Sequence, residues 1–225
     1  MTEPEDDQRT GRQNGVQLDD DLGLIERTMR ALELTQGVEI ARRYLAMNAF
    51  DGALTMLGLV LGGLITIDPA NPDIIFNALL LAAVGTSIAM AVSGFSGSYL
   101  AESAERDREV EEIGKAMLTD MSDSMYAKAS RTTSVVVAIV DGLSPAVAAL
   151  IVITPLLLVP VGIIDVYTAF FSAIIVCMLL LFLLGLFLGR VSRRSMWSYG
   201  AKTLFAGIMT AILMFVISLL TGAGA

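Results

Sequence analysis

The amino-acid sequence predicts an all-α integral membrane protein with five transmembrane helices, a cytoplasmic amino terminus and a carboxyl terminus outside. Three observations predict this class. Hydrophobic residues make up 55% of the 225 residues, and the mean hydropathy is +0.69. Apolar runs of more than about eighteen residues, long enough to cross a lipid bilayer as helices, occur several times. Lysine and arginine are confined to the segment before the first run and to alternate connections between the runs.

Turn-forming or charged segments separate the apolar runs. The predicted spans are residues 44–67, 74–100, 134–158, 163–189 and 203–221. As a helix rising about 1.5 Å per residue, the first run covers roughly 36 Å, which is enough to cross the membrane with some tilt. Residues 44–101 therefore hold spans one and two, joined by the turn-forming segment 68–73. Residues 134–225 hold spans three to five.

The basic residues predict the orientation. They precede span one, lie between spans two and three, and lie between spans four and five, as Arg42, Arg43, Arg106, Arg108, Lys115, Lys128, Arg131, Arg190, Arg193, Arg194 and Lys202. The other connections between spans contain none. Because positive residues accumulate in cytoplasmic loops, we expect all of these connections and the amino terminus to be cytoplasmic.

Two polar segments precede span one. Residues 1–17 have too little apolar surface to fold, and we expect a disordered acidic tail. Residues 18–43 carry apolar residues at alternating spacings of four and three, which predicts an amphipathic cytoplasmic helix. The apolar positions are Leu18, Leu22, Ile25, Met29 and Leu32. This helix lies on the membrane interface, or it packs against the cytoplasmic segment or a second subunit; both alternatives fit the pattern.

Composition excludes several kinds of chemistry. The sequence has no histidine, and its single cysteine, Cys177, has no partner for an internal disulfide. The formal net charge of -8 argues against nucleic acid as a partner. With no nucleotide-binding loop and no nucleophile paired with a base, we expect no enzyme. We also expect no permanently bound cofactor, so carboxylates and methionines must form any site.

Two aspartates lie at similar depths in spans one and three. Asp51 follows Arg43 by eight residues and Asp141 follows Arg131 by ten, so both lie roughly 12–15 Å beyond the cytoplasmic arginines. A charge near the bilayer centre costs on the order of 2.5–3.5 kcal/mol. These aspartates are therefore protonated, stabilised by polar neighbours such as Asn48, or neutralised by a passing cation. The alternative is a neutral aspartic acid that only holds two helices together.

Residues 102–133 form an acidic segment, which we expect to be helical. Its glutamate stripe consists of Glu102, Glu105, Glu109 and Glu112. Their spacings of three, four and three confine them to an arc of roughly 80 degrees on a helix. Asp120 extends the stripe if the helix continues past Gly114. Hard divalent cations prefer such oxygen ligands. The alternative is a solvated face partly offset by Arg106 and Arg108.

Span two holds a candidate sulfur ligand. Its inner end is unusually polar for a bilayer helix, as expected beside a water-filled path, although close helix packing explains this equally. Met90, one or two turns deeper, offers Fe(II) a soft thioether next to a hard carboxylate. The alternative is that Met90 fills the apolar core.

Several short motifs follow one another in a fairly specific order from about Arg42 to the end. They are Asp51-Gly52; Gly97-Ser98-Tyr99-Leu100-Ala101 before the glutamates; Gly142-Leu143-Ser144 with Pro155 and Pro160; and Leu184-Gly185 before the arginine loop and Gly207. In this order they resemble the vacuolar iron transporter family. Members of that family have five spans, an inward amino terminus and a glutamate-rich segment between spans two and three.

The resemblance implies a homodimer with a path between the subunits, in which Asp51 exchanges Fe(II) or Mn(II) for protons and exports metal from the cytoplasm. This sequence departs from the family at Ser98, which stands where the family has a glutamate, and Asp141 is a candidate for the missing charge. The family's span-two methionine falls on Gly94, so Met90 replaces it only after a register shift of about one turn. The acidic segment is also short for a complete metal-binding domain. These departures suggest a divergent prokaryotic branch.

We therefore expect a proton-coupled exporter of Fe2+ or Mn2+. The expected transport site comprises Asp51, Asp141, Met90, Asn48 and Ser98, and the expected cytoplasmic collecting site comprises Glu102, Glu105, Glu109, Glu112 and Asp120. The alternative is a membrane adaptor or structural protein without transport activity. The absence of targeting signals favours a prokaryotic plasma membrane.

Overall fold

The computed structural model describes residues 23–68 and 71–222, which form six helices. They are α1 (Leu24–Leu34), α2 (Gly37–Thr66), α3 (Pro72–Met117), α4 (Met125–Leu157), α5 (Val166–Val191) and α6 (Met196–Thr221). Helices α2 to α6 are each long and apolar enough to cross a membrane. The predicted all-helical fold with five spans is confirmed for the described residues, and the orientation of the termini stays a prediction. The expected tail, residues 1–17, lies outside the described residues.

The segment before span one is divided at Thr35 and Gln36. Helix α1 ends at Leu34, Gln36 has a positive φ of 55°, and α2 begins at Gly37. Residues 37–43, which the sequence placed in an amphipathic helix, therefore belong to the same helix as span one. The beginning of that expected helix, residues 18–22, lies outside the described part of the chain.

Span two and the glutamate stripe share one helix. Helix α3 runs for 46 residues without a break, because the sequence after Leu100 is rich in strong helix formers. The helix ends at Met117, and Leu118 then adopts a positive φ of 52°. Asp120 consequently lies in the turn beyond α3, and the glutamate stripe does not extend to it along the helix.

The chain forms two compact units. The polar unit comprises Met1–Val38, of which the structure describes residues from 23 onward, and Glu102–Val135; the membrane unit comprises Glu39–Ala101 and Val136–Ala225. The core of the membrane unit is built by α2, α3, α4 and α5, and its fully buried side chains include Met56, Leu57, Ile153, Leu156, Phe170, Cys177 and Leu181. Helix α6 packs on α5 through small residues, since a Cβ on Gly185 would lie 2.7 Å from the Cα of Gly200.

Two glycines bring α2 and α3 against α4. A Cβ on Gly52 of α2 would lie 2.6 Å from the Cα of Pro145, and a Cβ on Gly94 of α3 would lie 2.9 Å from the Cα of Gly142. Both distances are shorter than packed side chains allow, so the helices meet backbone to backbone, as small residues permit in membranes. These crossings bring three spans together beside Asp141.

Candidate functional site

A polar node lies where α2, α3 and α4 meet in the membrane unit. Asp141 of α4 is 7% exposed. The side-chain amide of Asn48 on α2 donates a hydrogen bond to its Oδ1, and the hydroxyl of Ser98 on α3 donates to its Oδ2. We call these three residues the Asp141 node. The structure therefore brings together three of the five residues predicted for the transport site, each from a different span.

No described basic residue pairs with the node. Asp141 forms no ion pair with any described residue, whereas Arg106, Arg108 and Lys115 pair with glutamates on α3 in the polar unit. The amide of Asn48 also donates to the carbonyl oxygen of Tyr44 at 3.0 Å, so both of its N–H groups are used and its orientation is fixed. Ser98 can either donate to or accept from Asp141, because a hydroxyl does both. The node can therefore hold the carboxyl group in its charged or its neutral form.

Asp51 is not part of this node. Its side chain is exposed in the single chain, and it has no hydrogen-bond partner among the described residues. It lies on the open face of α2, which we define as Met47, Asp51, Thr55 and Gly58. Spacings of four, four and three place these residues on one side of the helix. Met47 is 57% exposed, and a Cβ on Gly58 would have no neighbour within 4 Å.

Met47 is a sulfur-bearing residue that the sequence reasoning missed. It lies one helical turn before Asp51, so a thioether and a carboxylate share the open face. The sequence does show that Met47 precedes Asp51 by four residues, which is the spacing that places two side chains on one side of a helix. Met90, which the sequence singled out instead, is partly buried and packs against the apolar core of the membrane unit. Those surroundings are typical of a core methionine.

The glutamate stripe is partly neutralised by an arginine at its centre. Arg106 is 6% exposed, its Nε donates to Glu102 at 3.0 Å, and its Nη1 donates to Glu109 at 3.3 Å. Its Nη2 donates to the carbonyl oxygen of Thr35 at 3.3 Å, and the hydroxyl of Tyr126 donates to Glu109 at 2.8 Å. Arg106 and Glu109 therefore connect α3 to its neighbours in the polar unit.

The rest of the stripe is exposed. Glu112 pairs with Arg108 at 2.9 Å, while Glu105 has no ion pair among the described residues. Asp120 accepts a hydrogen bond from the backbone N–H of Ser122, which lowers the pKa of its carboxyl group. In the part of the chain that the structure describes, no three cysteine, aspartate or glutamate side chains come close enough to hold a metal ion. The collecting site remains a prediction.

Comparisons with known proteins support the predicted resemblance. The model of the VIT family matches residues 114–219, from the end of α3 into α6. An uncharacterized protein of Methanocaldococcus jannaschii is 28% identical over 197 residues, which cover 86% of this chain and 96% of that protein. No solved structure matches the chain significantly. The predicted resemblance is therefore confirmed, over a range that includes Asp141 and begins after Asp51.

Proposed function

We propose that this chain, which the VIT family model matches over residues 114–219, transports divalent metal cations across a membrane. The observation that carries the proposal is a pair of aspartates in membrane-spanning helices, Asp51 on the open face of α2 and Asp141 in the node, neither of which pairs with a basic residue that the structure describes. Ionisable residues inside membrane spans are costly, and they commonly mark ion pathways. A divalent cation that passes these carboxylates would supply the missing positive charge.

Asp51 and Met47 are the proposed metal ligands. A hard carboxylate and a soft thioether together suit a metal of intermediate character such as Fe2+, and the carboxylate also suits Mn2+. One helix presents both groups on the same side because they are four residues apart. Two ligands from one chain do not complete a coordination shell, so the proposal requires ligands from elsewhere.

A second copy of the chain would supply them. Charged residues within spans almost always face the interior of a bundle or a water-filled cavity, whereas Asp51 faces outward from the single chain. In a twofold homodimer the open face of α2 meets its own copy, which doubles the carboxylates and thioethers. Gly58 lets the two helices approach closely. The path then runs between the subunits.

We further propose that transport is coupled to protons and exports metal from the cytoplasm. A carboxylate that loses its cation in a low-dielectric site must gain a proton or another cation. Asp51 has this requirement because it forms no ion pair with a basic residue in the described ranges 23–68 and 71–222. In the proposed orientation the amino terminus is cytoplasmic, and the glutamate stripe with Asp120 delivers metal from that side. Asp141 acts as the secondary carboxylate on the path.

Flux into liposomes tests the proposal. Purified protein is reconstituted with an enclosed metal-quenched dye, and the uptake of Fe2+ and Mn2+ is followed with and without an imposed pH gradient. The native chain should quench the dye, and Asp51→Asn should not, although it folds normally. Asp165→Asn is the matched control, because Asp165 is an exposed aspartate just before α5 and should leave flux unchanged.

The rival function is a membrane adaptor or structural protein. One observation favours it: both oxygens of Asp141 already have hydrogen-bond partners within the chain, as expected of a group that holds helices together. A well-folded native protein that moves neither metal, under either direction of the pH gradient, would favour the adaptor.

A further inference from the structure

A basic groove lies between α1 and α4 in the polar unit, with a volume of about 140 Å³. The side chains that define it are Arg27, Arg30 and Leu34 of α1 and Met125, Lys128 and Thr132 of α4. No acidic residue is among those that line it, although α1 also carries Glu26 and Glu33. This concentration of positive charge stands out in a chain whose formal net charge is -8.

Two cations of the groove are available for a ligand. Arg30 and Lys128 are exposed, come from different helices, and form no ion pair with any described residue. They contrast with the basic residues of α3, since Arg106, Arg108 and Lys115 each pair with a glutamate. An anion in the groove would gain two charge-assisted contacts without breaking an existing one.

The groove also has apolar walls. Leu34 is 52% exposed and Met125 is 48% exposed, so hydrocarbon lies beside the two cations. The walls are held together, because the hydroxyl groups of Thr35 and Thr133 are hydrogen-bonded at 2.7 Å and join the end of α1 to α4. A ligand that combines a negative charge with an apolar portion fits this lining better than a free inorganic anion does.

The position of the groove along α4 indicates the source of such a ligand. Lys128 precedes Ser134, where the apolar run of the span begins, by six residues, a rise of roughly 9 Å along the helix. Basic residues immediately beside a membrane span attract anionic lipids. Lipid is always present at this position, whereas a soluble partner would have to be recruited.

We propose that the groove between α1 and α4 binds the headgroup of an anionic phospholipid, with Arg30 and Lys128 on its phosphate and Leu34 and Met125 against its glycerol and upper acyl chains. This site is separate from the aspartates of the transport proposal and does not depend on it. It would attach α1 to the membrane surface through lipid while the buried side of the helix stays packed in the polar unit.

Native mass spectrometry of the full chain in detergent tests the proposal, with phosphatidylglycerol and phosphatidylcholine as the probes. The native protein should retain phosphatidylglycerol in preference to phosphatidylcholine. The double variant Arg30→Gln, Lys128→Gln should weaken phosphatidylglycerol binding by about thirtyfold, since each basic group near an anionic surface contributes about 1 kcal/mol. Phosphatidylcholine binding should change little.

The control is Arg108→Gln with Lys115→Gln, which removes the same charge from α3 outside the groove. An equal loss in this control would overturn the proposal, because the preference would then reflect overall charge. Unchanged phosphatidylglycerol binding in the groove variant would overturn it as well. A preference for phosphatidylglycerol that appears only after deletion of residues 1–21 would also overturn the proposal. In that case the acidic amino-terminal segment, and not lipid, would occupy the groove of the full chain. Circular dichroism confirms folding of each variant.

Discussion

Replacing Asp141 should separate its structural role from any role of its charge. Asp141→Ala removes the acceptor of two hydrogen bonds, one from Asn48 and one from Ser98. Asp141→Asn preserves the shape and can keep both bonds, because the new amide oxygen accepts from Asn48 and the new amide N–H donates to the Ser98 hydroxyl. The asparagine variant should therefore be folded, whereas the alanine variant should be less stable.

The magnitude follows from the number of bonds between helices. Side-chain hydrogen bonds between membrane helices contribute about 0.6 kcal/mol on average and up to about 1.7 kcal/mol. Loss of two such bonds at Asp141 should lower the free energy of unfolding by about 1–3 kcal/mol. The asparagine variant should stay within about 0.5 kcal/mol of the native protein, since both bonds are replaced.

Unfolding by sodium dodecyl sulfate in mixed micelles, followed by circular dichroism, measures these differences. Ser98→Ala removes one of the two bonds and should fall between the native protein and Asp141→Ala. An alanine variant as stable as the native protein would refute the reasoning, because the node would then contribute nothing to holding the spans. An asparagine variant as unstable as the alanine variant would show that the charge, and not the hydrogen bonds, matters for folding.

Three further predictions concern other positions. Gly52→Ala should lower the free energy of unfolding by about 1–3 kcal/mol, because its Cβ would overlap the backbone of α4, and the same detergent titration measures this loss. Gly58→Leu should leave the single chain folded but should shift the proposed homodimer towards monomer in sedimentation experiments, because Gly58 lies on the open face of α2. Asp165 caps α5 by accepting hydrogen bonds from the hydroxyl and backbone N–H of Thr168, which lowers the pKa of its carboxyl group. Its contribution should be complete above the ordinary aspartate pKa of about 4 and lost as the pH falls further. The difference in melting temperature between the native protein and Asp165→Ala should therefore shrink in acid.

Each of these predictions has a control within the chain. Gly85→Ala should cost little, since a Cβ there meets nothing within 4 Å, and an equal loss at Gly52 and Gly85 would contradict the packing argument. A dimer that survives Gly58→Leu unchanged would place the interface elsewhere. Asp165→Asn keeps a good capping residue without a titrating group, so a native-like loss of stability in acid for this variant would contradict the assignment.

The number of spans was predictable, but the rotation of each span was not. Long apolar runs specify membrane helices because the bilayer requires them. Lipid and protein core are both apolar, so periodicity along a span does not reveal which side is buried. Asp51 and Asp141 accordingly looked equivalent in the sequence, and only packing places Asp141 in the node and Asp51 on the open face. Gly52 and Gly94 contact α4. As small residues within spans, they were the sequence feature that indicates which side of a helix packs against a neighbour.

In the polar unit, the sequence predicted the helix that carries the glutamates, but it predicted fewer of the contacts that their side chains make. The spacing of the glutamates correctly placed them on one helix. Arg106 lies four residues after Glu102 and three before Glu109, and both spacings favour ion pairs on a helix. Its burial against Thr35 depends on a contact 71 residues away in the sequence, and no local pattern indicates such a contact. The sequence left open whether the helix continues to Asp120, and α3 ends before it, at Met117.

The buried position of Cys177 makes the native chain convenient for labelling. Its side chain is fully buried on α5, and its Sγ donates to the carbonyl oxygen of Ala53 at 3.3 Å. A thiol enclosed in this way should not react with maleimides while the protein is folded. Spin labels or fluorophores can therefore be attached to a cysteine introduced at Met47 without first removing the natural one. Distances measured between two such labels would report directly on whether the open faces of α2 meet.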